Sequence, residues 1–73
     1  MDIYFSRHVQ RQMKWREIEE GEIKDTVLYP EKVENSRKDR KNAFKHIGSK
    51  WLKVTFKQES DNIVIITAID KNK

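Results

Sequence analysis

The hydrophobic period of the chain changes near Pro30, and this change constrains the fold more than any other feature. Before the proline, apolar residues recur at the spacing of a helix. From Lys32 onward they alternate with polar residues, as in a strand with one buried face. The clearest alternation places Leu52, Val54 and Phe56 on one side. The sequence therefore predicts helices followed by a sheet.

Two short helices are predicted ahead of this change. Ser6 is a suitable N-cap for the first, over about residues 6–16. In this helix Val9 and Met13 lie four positions apart on one apolar face. The second, over about residues 19–29, has acids in its first turn and a proline beyond its end. Because the gap between them is short, we expect an antiparallel helical hairpin.

Three or four antiparallel strands are predicted in the second part of the chain. They cover about residues 33–37, 41–47, 52–57 and 63–69. The first is expected at an edge, and the last is apolar on both faces, as an interior strand requires. A chain of 73 residues forms one domain. The fold class is therefore α+β, with the helical hairpin packed on the sheet.

The turn before the third of these strands decides which side chains face the helices. A three-residue turn at 48–50 would pair Lys45 with Lys53 on the open face. Phe44 and His46 would then point toward the core. A turn of two or four residues would reverse this arrangement and bring Phe44 and His46 to the open face. We favour the three-residue turn, because it buries Phe44 rather than Lys45.

Positive charge is concentrated in residues 37–57, which contain eight Lys or Arg and one acid, while the rest of the chain has a net negative charge. Such a field attracts polyanions, with RNA or DNA as the first candidate partner. The alternative, charge that only maintains solubility, usually intersperses acids with bases. The expected nucleic-acid-binding residues are Arg37, Lys38, Lys41 and Lys57, with Arg16 from the first helix.

An open basic face beside an aromatic ring suits single-stranded RNA, because cations contact phosphates and rings stack on bases. The alternative is an ordinary solvated face whose lysines prevent edge aggregation. His8 and His46 are the two imidazoles of the chain, and with cationic neighbours they could move protons in attack of a ribose 2′-OH on its phosphate. A hydrogen-bonded structural role is the more common one for a single histidine.

Several other classes are excluded or disfavoured. The chain has no Cys and no His/Asp/Glu cluster with ligand spacing, so neither a disulfide framework nor a metal site is expected. It contains no nucleotide fingerprint, and no cofactor is expected. No apolar run is long enough for a signal or membrane segment, which favours a cytoplasmic protein without a membrane partner.

Four short segments carry a family resemblance. They are residues 5–8 (FSRH), 28–33 (LYPEKV), 40–48 (RKNAFKHIG) and 51–54 (WLKV). Together they resemble a family of small uncharacterised bacterial and archaeal domains, which in turn is similar to the RelE/ParE and BrnT toxins. The resemblance extends over about residues 4–69. It also includes helical positions His8, Met13 and Arg16.

The resemblance implies a RelE-like fold, metal-independent ribonuclease activity and a cognate antitoxin that covers the basic face. The catalytic roles it suggests fall to Arg40, Lys45, His46 and Lys53, with His8 as a further candidate. Two positions depart from the pattern: Gln12, where the family often has Arg, and Glu17, where Gly is common. The alternative is a nucleic-acid-binding or protein-interaction module without catalysis.

Overall fold

The computed structural model describes residues 2–72. Its elements in chain order are β1 (Ile3–Phe5), α1 (Arg7–Arg16), α2 (Glu20–Leu28), β2 (Lys32–Asn35), β3 (Arg40–Ile47), β4 (Lys50–Glu59) and β5 (Asn62–Asp70). The α+β class is confirmed, and both helices lie within two residues of their predicted bounds. The sheet differs from the prediction because this part of the chain contains five strands rather than three or four.

The strands are ordered β1-β5-β4-β3-β2 in one sheet. Three of the four pairings are antiparallel, whereas β1 runs parallel to β5. The prediction of a purely antiparallel sheet is therefore wrong at this edge. A strand of three residues is too short to show an alternation in the sequence, which is why β1 was missed. As predicted, β2 lies at an edge and β5 is an interior strand.

Helix α1 is fixed to β5 at its start by one residue. The Ser6 hydroxyl accepts a hydrogen bond from the Val9 amide at 3.1 Å, as an N-cap should. The same hydroxyl donates to the Ile66 carbonyl at 3.2 Å, next to the point where the β4–β5 register shifts. Ser6 therefore caps the helix and positions it over the sheet. The prediction of Ser6 as N-cap is confirmed.

A second contact between α1 and β5 comes from Gln12. Its side chain is buried, and Oε1 accepts a hydrogen bond from the Ala68 amide at 3.0 Å. Position 12 therefore faces the interface between helix and sheet. An Arg side chain at this position would leave the backbone toward the same interface. Glu17, the other departure, has left-handed backbone angles at the end of α1 (φ 53, ψ 45), a conformation that glycine adopts without strain.

Helix α2 begins with a capping box in which Glu19 and Glu22 exchange side-chain and backbone hydrogen bonds. It ends at Leu28, and its C-cap residue Tyr29 directly precedes Pro30. The helix packs over β3 and β4, while α1 packs over β5. Neither of the helices within residues 2–72 is long and apolar enough to cross a membrane.

Both helices cover the same face of the sheet, and the core lies between the two layers. The buried cluster consists of Val9, Ile18, Ile23, Val27, Ala43, Leu52, Val54, Phe56, Ile63, Ile65 and Ala68. Met13 and Phe5 pack against its border, as the helical spacing predicts. The opposite face of the sheet, which we call the open face, is turned away from the helices.

Candidate nucleic-acid interface

The β3–β4 hairpin determines the composition of the open face. Ile47 pairs with Lys50, so the turn consists of Gly48 and Ser49 alone. Gly48 adopts the left-handed conformation (φ 60) that such a tight turn needs. The favoured three-residue turn is therefore wrong. Because the turn has two residues, Phe44 and His46 lie on the open face.

On β3 and β4 the open face carries Arg40, Asn42, Phe44, His46, Trp51, Lys53, Thr55 and Lys57. Lys45 pairs with Leu52 and lies on the helix side instead. Its Nζ is 3.0 Å from Asp25 Oδ2 of α2 and 5.8 Å from the centre of the Tyr29 ring. Lys45 therefore links the sheet to α2 through an ion pair. The prediction that it lies with Lys53 on the open face is wrong.

Lys50 makes a second ion pair of this kind between the sheet and α2. Its Nζ lies 2.9 Å from Glu22 Oε1 and 2.6 Å from the Glu17 carbonyl. Burial alone would raise the pKa of Glu22, but the Glu19 amide and the Lys50 ammonium outweigh burial and lower that pKa. Through these ion pairs, Lys45 and Lys50 stabilise the packing of the helices on the sheet, and they are not part of the open face.

An aromatic row crosses the open face. The Phe44 and Trp51 ring centres are 5.7 Å apart in a stacked arrangement, and the His46 ring centre is 4.0 Å from that of Trp51. Phe44 is only 5 % exposed although it lies outside the core cluster. The His46 side chain is 62 % exposed. Trp51 is half-buried and lies between two rings, the buried ring of Phe44 and the accessible ring of His46.

Three lysines surround this aromatic row. Lys32 pairs with Phe44 from β2, and its Nζ lies 5.3 Å from the ring centre, while Lys71 Nζ lies 5.7 Å from the same ring. Lys53 pairs with Phe44 from β4. A hydrogen bond from Lys32 and its charge lower the pKa of Glu34, and the charges of Lys53 and Lys71 lower it further. All three ammonium groups therefore act on one region of the open face.

Lys32 and Lys71 were not predicted as site residues, because they lie outside the basic segment 37–57. The excess of charge in the sequence indicated only that segment. Lys32 lies beside Phe44 because β2 pairs with β3 through these two residues. The register of the β2–β3 pair, rather than local charge density, was the signal that could have found Lys32.

His46 is held by a carboxylate from the loop after α2. Glu31 Oε2 accepts a hydrogen bond from the His46 amide at 2.8 Å, and Oε1 lies 3.1 Å from His46 Nδ1. The bonds from the amide and the ring lower the pKa of Glu31. The pair fixes the orientation of the imidazole on the open face.

The other predicted catalytic residues are not gathered around His46. Arg40 is on the same strand and face, but six residues away, which is about 20 Å in a strand. His8 lies on α1, in the other layer, and is exposed. Of the five candidates, the structure therefore brings together His46 and Lys53.

The predicted phosphate-contacting residues are also distributed over several surfaces. Lys57 lies on the open face beside Arg40, with its Nζ 3.5 Å from Glu59. Arg37 and Lys38 precede β3 in the turn from β2, whereas Lys41 pairs with Phe56 on the helix side. Arg16 ends α1. Lys57 is the member of this set on the open face itself.

Comparison with known proteins identifies one family. No curated protein and no solved structure matches the chain at a significant level. A family model described as "Domain of unknown function (DUF4258)" matches residues 5–70, which include both helices and the sheet from β2 to β5. Because this match extends over nearly all of the 73 residues, the chain belongs to the DUF4258 family.

Proposed function

We propose that this protein binds single-stranded RNA across the open face. The observation that carries the proposal is the aromatic row of Phe44, Trp51 and His46 with lysines on both sides. Aromatic rings stack on unpaired bases of any sequence, and neighbouring cations hold the phosphates. The basic segment 37–57 provides part of this surface, and Lys32 and Lys71 add to it.

The arrangement of these groups matches a single strand better than a duplex. Lys32 and Lys53 are on the strands to either side of Phe44, so their backbones are about 10 Å apart. Beside this row of three, Trp51 on β4 and His46 on β3 present ring surface that paired and stacked bases could not reach. An unpaired base can stack at Trp51 while its flanking phosphates contact the lysines.

The double variant W51A/K53Q tests this proposal. It removes one stacking ring and one cation, and we expect the Kd for a labelled single-stranded RNA to rise at least about tenfold, since stacking alone contributes roughly 1–3 kcal/mol per base. The matched control is Y29A/K24Q, which removes an exposed ring and a cation from the other side of the molecule. Its Kd should change less than about twofold. Fluorescence anisotropy gives both values.

Two outcomes would contradict the sheet-face proposal. Equal weakening in both double variants would mean that general charge, not the open face, drives binding. Absence of wild-type binding at physiological salt would point to an acidic protein partner. The antitoxin implied by the resemblance to RelE-type toxins is a partner of that kind, and we propose that it would cover the same lysines.

A second function, RNA cleavage, is favoured by the contact between Glu31 and His46. A carboxylate at Nδ1 orients an imidazole for proton transfer at Nε2. His46 would take the proton of a ribose 2′-OH while the 2′ oxygen forms a bond to the adjacent phosphorus. The phosphorus–O5′ bond then breaks, and the imidazolium returns the proton to O5′. Lys53, diagonal to His46, would stabilise the added negative charge on the phosphate.

The variant H46Q tests cleavage separately from binding. If the wild type produces fragments from RNA in the presence of a chelator, H46Q should produce them about 100-fold more slowly, the usual effect of losing a general base. Its Kd for RNA should change much less. E31Q, which keeps the side-chain size but removes the carboxylate charge beside Nδ1, should slow cleavage less than H46Q does. Fragments of undiminished yield from H46Q would reject this mechanism.

A further inference from the structure

Helix α1 is basic along its whole length. Its ten residues include Arg7, Arg11, Lys14 and Arg16 and no acid. This charge is hidden in the sequence totals, because the acids near α2 cancel it when residues 1–36 are summed. The helix is a second positively charged element, separate from segment 37–57.

Three of these cations share one face. Arg7, Arg11 and Lys14 follow at intervals of four and three residues, and they point away from the core side of α1 that Val9 occupies. Together with Gln10 they line a surface hollow of about 180 Å³. We call Arg7, Arg11 and Lys14 the α1 stripe. The three side chains therefore border one shared hollow on the surface of α1.

The α1 stripe has no ion-pair partner in the described part of the chain. The pairs found there involve His46 and lysines at other positions, namely Lys24, Lys32, Lys45, Lys50 and Lys57. None joins a carboxylate of residues 2–72 to the stripe. Its guanidinium and ammonium groups are therefore available to an external anion.

Two members of the α1 stripe oppose the stability of their own helix. Arg7 is the first helical residue, where the helix dipole disfavours a cation, and Arg7 and Arg11 are like charges at positions i and i+4. In contrast, α2 has Glu20 and Glu22 in its first turn, as the dipole prefers. Helix stability therefore does not explain Arg7 and Arg11, whereas Lys14, in the last turn, suits the dipole. Binding of an external anion would explain all three cations.

An exposed indole lies at the edge of the stripe. Trp15 is 81 % exposed and stands one helical turn after Arg11. An indole in this position can stack on a base or pack on a ribose while the neighbouring cations contact phosphates. From Arg7 to Lys14 the helix rises seven steps of 1.5 Å, about 10.5 Å, so the stripe is long enough to contact neighbouring phosphates of one strand.

We propose that the α1 stripe is a second binding site, for the phosphate backbone of a nucleic acid, on the side of the molecule opposite the open face. A membrane surface fits less well, because the apolar residues of α1 are directed into the core and only Trp15 could insert. The α1 stripe does not depend on the sheet-face proposal. With both sites, the protein contacts two segments of one RNA.

The variant R7Q/R11Q tests the second site. The slope of log K against log salt for a 20-nucleotide single-stranded RNA should become shallower by about 1.4, at about 0.7 per lost phosphate contact. The matched control K24Q/K41Q has the same net charge, and its two lysines lie outside both proposed surfaces. Its slope should change by less than half that amount.

A stability measurement separates binding from folding. Because R7Q/R11Q removes a like-charge pair and a cation at the helix start, its Tm should rise by about 2–6 °C. A variant that is more stable and binds RNA with a shallower salt slope supports the α1 stripe. The same slope as the control overturns it, and so does an effect restricted to vesicles of anionic lipid.

The W51A/K53Q variant distinguishes failure of this proposal from failure of the sheet-face proposal. If only the open face binds, W51A/K53Q loses affinity and R7Q/R11Q behaves like its control. If only the α1 stripe binds, W51A/K53Q retains wild-type affinity and R7Q/R11Q alone shows the shallower slope. Both effects together establish two sites.

Discussion

Replacing Leu52 with alanine is expected to lower the free energy of unfolding by about 2–5 kcal/mol, the usual loss for a fully buried leucine. Leu52 is 0 % exposed and lies on β4, the middle strand of the sheet. A domain of 73 residues has a total stability of roughly 4–11 kcal/mol. The variant should therefore lose a large share of its total stability. Urea denaturation followed by circular dichroism measures the loss.

Lys53→Ala is the matched control for this prediction. Lys53 follows Leu52 directly but faces the open side of the sheet, so its truncation should change the free energy of unfolding by less than about 1 kcal/mol. Two neighbouring residues thus report which face is buried. A loss at Lys53 as large as that at Leu52 would mean that the strand register is wrong.

Replacing Phe44 with alanine is expected to cost about 3 kcal/mol, the lower end of the range for buried phenylalanines. The ring is buried, yet it is covered by Trp51 and the lysines around it rather than by the core. The variant should also expose the indole of Trp51 to water. Denaturant unfolding gives the energy, and a red shift of the tryptophan emission reports the exposure.

The control for this second prediction is F44L, which keeps most of the apolar volume. It should lose less than about half as much stability as F44A, because a leucine still fills the space beneath Trp51. RNA binding by F44L should persist, while F44A should bind as weakly as W51A/K53Q. If F44A is as stable as the wild type, the ring does not support the aromatic row.

The register of the hairpin shows where reasoning from the sequence failed. It assumed that Phe44 had to be buried against the helices and that Lys45 had to face water. Both assumptions ignored partners that are distant in sequence. Asp25 of α2 neutralises Lys45 at the border of the core, and Trp51 covers Phe44 on the other face. A short turn with Gly48 in the left-handed conformation could then form.

The sequence predicted that the protein has a basic surface, but it did not predict which residues form that surface. Local charge indicated a basic surface, and Lys53 and His46 are on it. Two lysines outside the basic segment were missed, and Lys45 was placed on the wrong face. The α1 stripe was missed for a different reason, since a sum over residues 1–36 cancels the charges of two helices that point in different directions.

The sequence by itself determined the two helices, the Ser6 cap of the first, the alternating strands and most of the core, because these depend on residues within a few positions of one another. Only the tertiary structure decided the strand β1, the face on which each cation lies and the pairing of His46 with Glu31. The physical reason is the two-residue period of a strand: one residue more or less in a turn moves every side chain to the opposite face. Contacts between distant residues select between these alternatives.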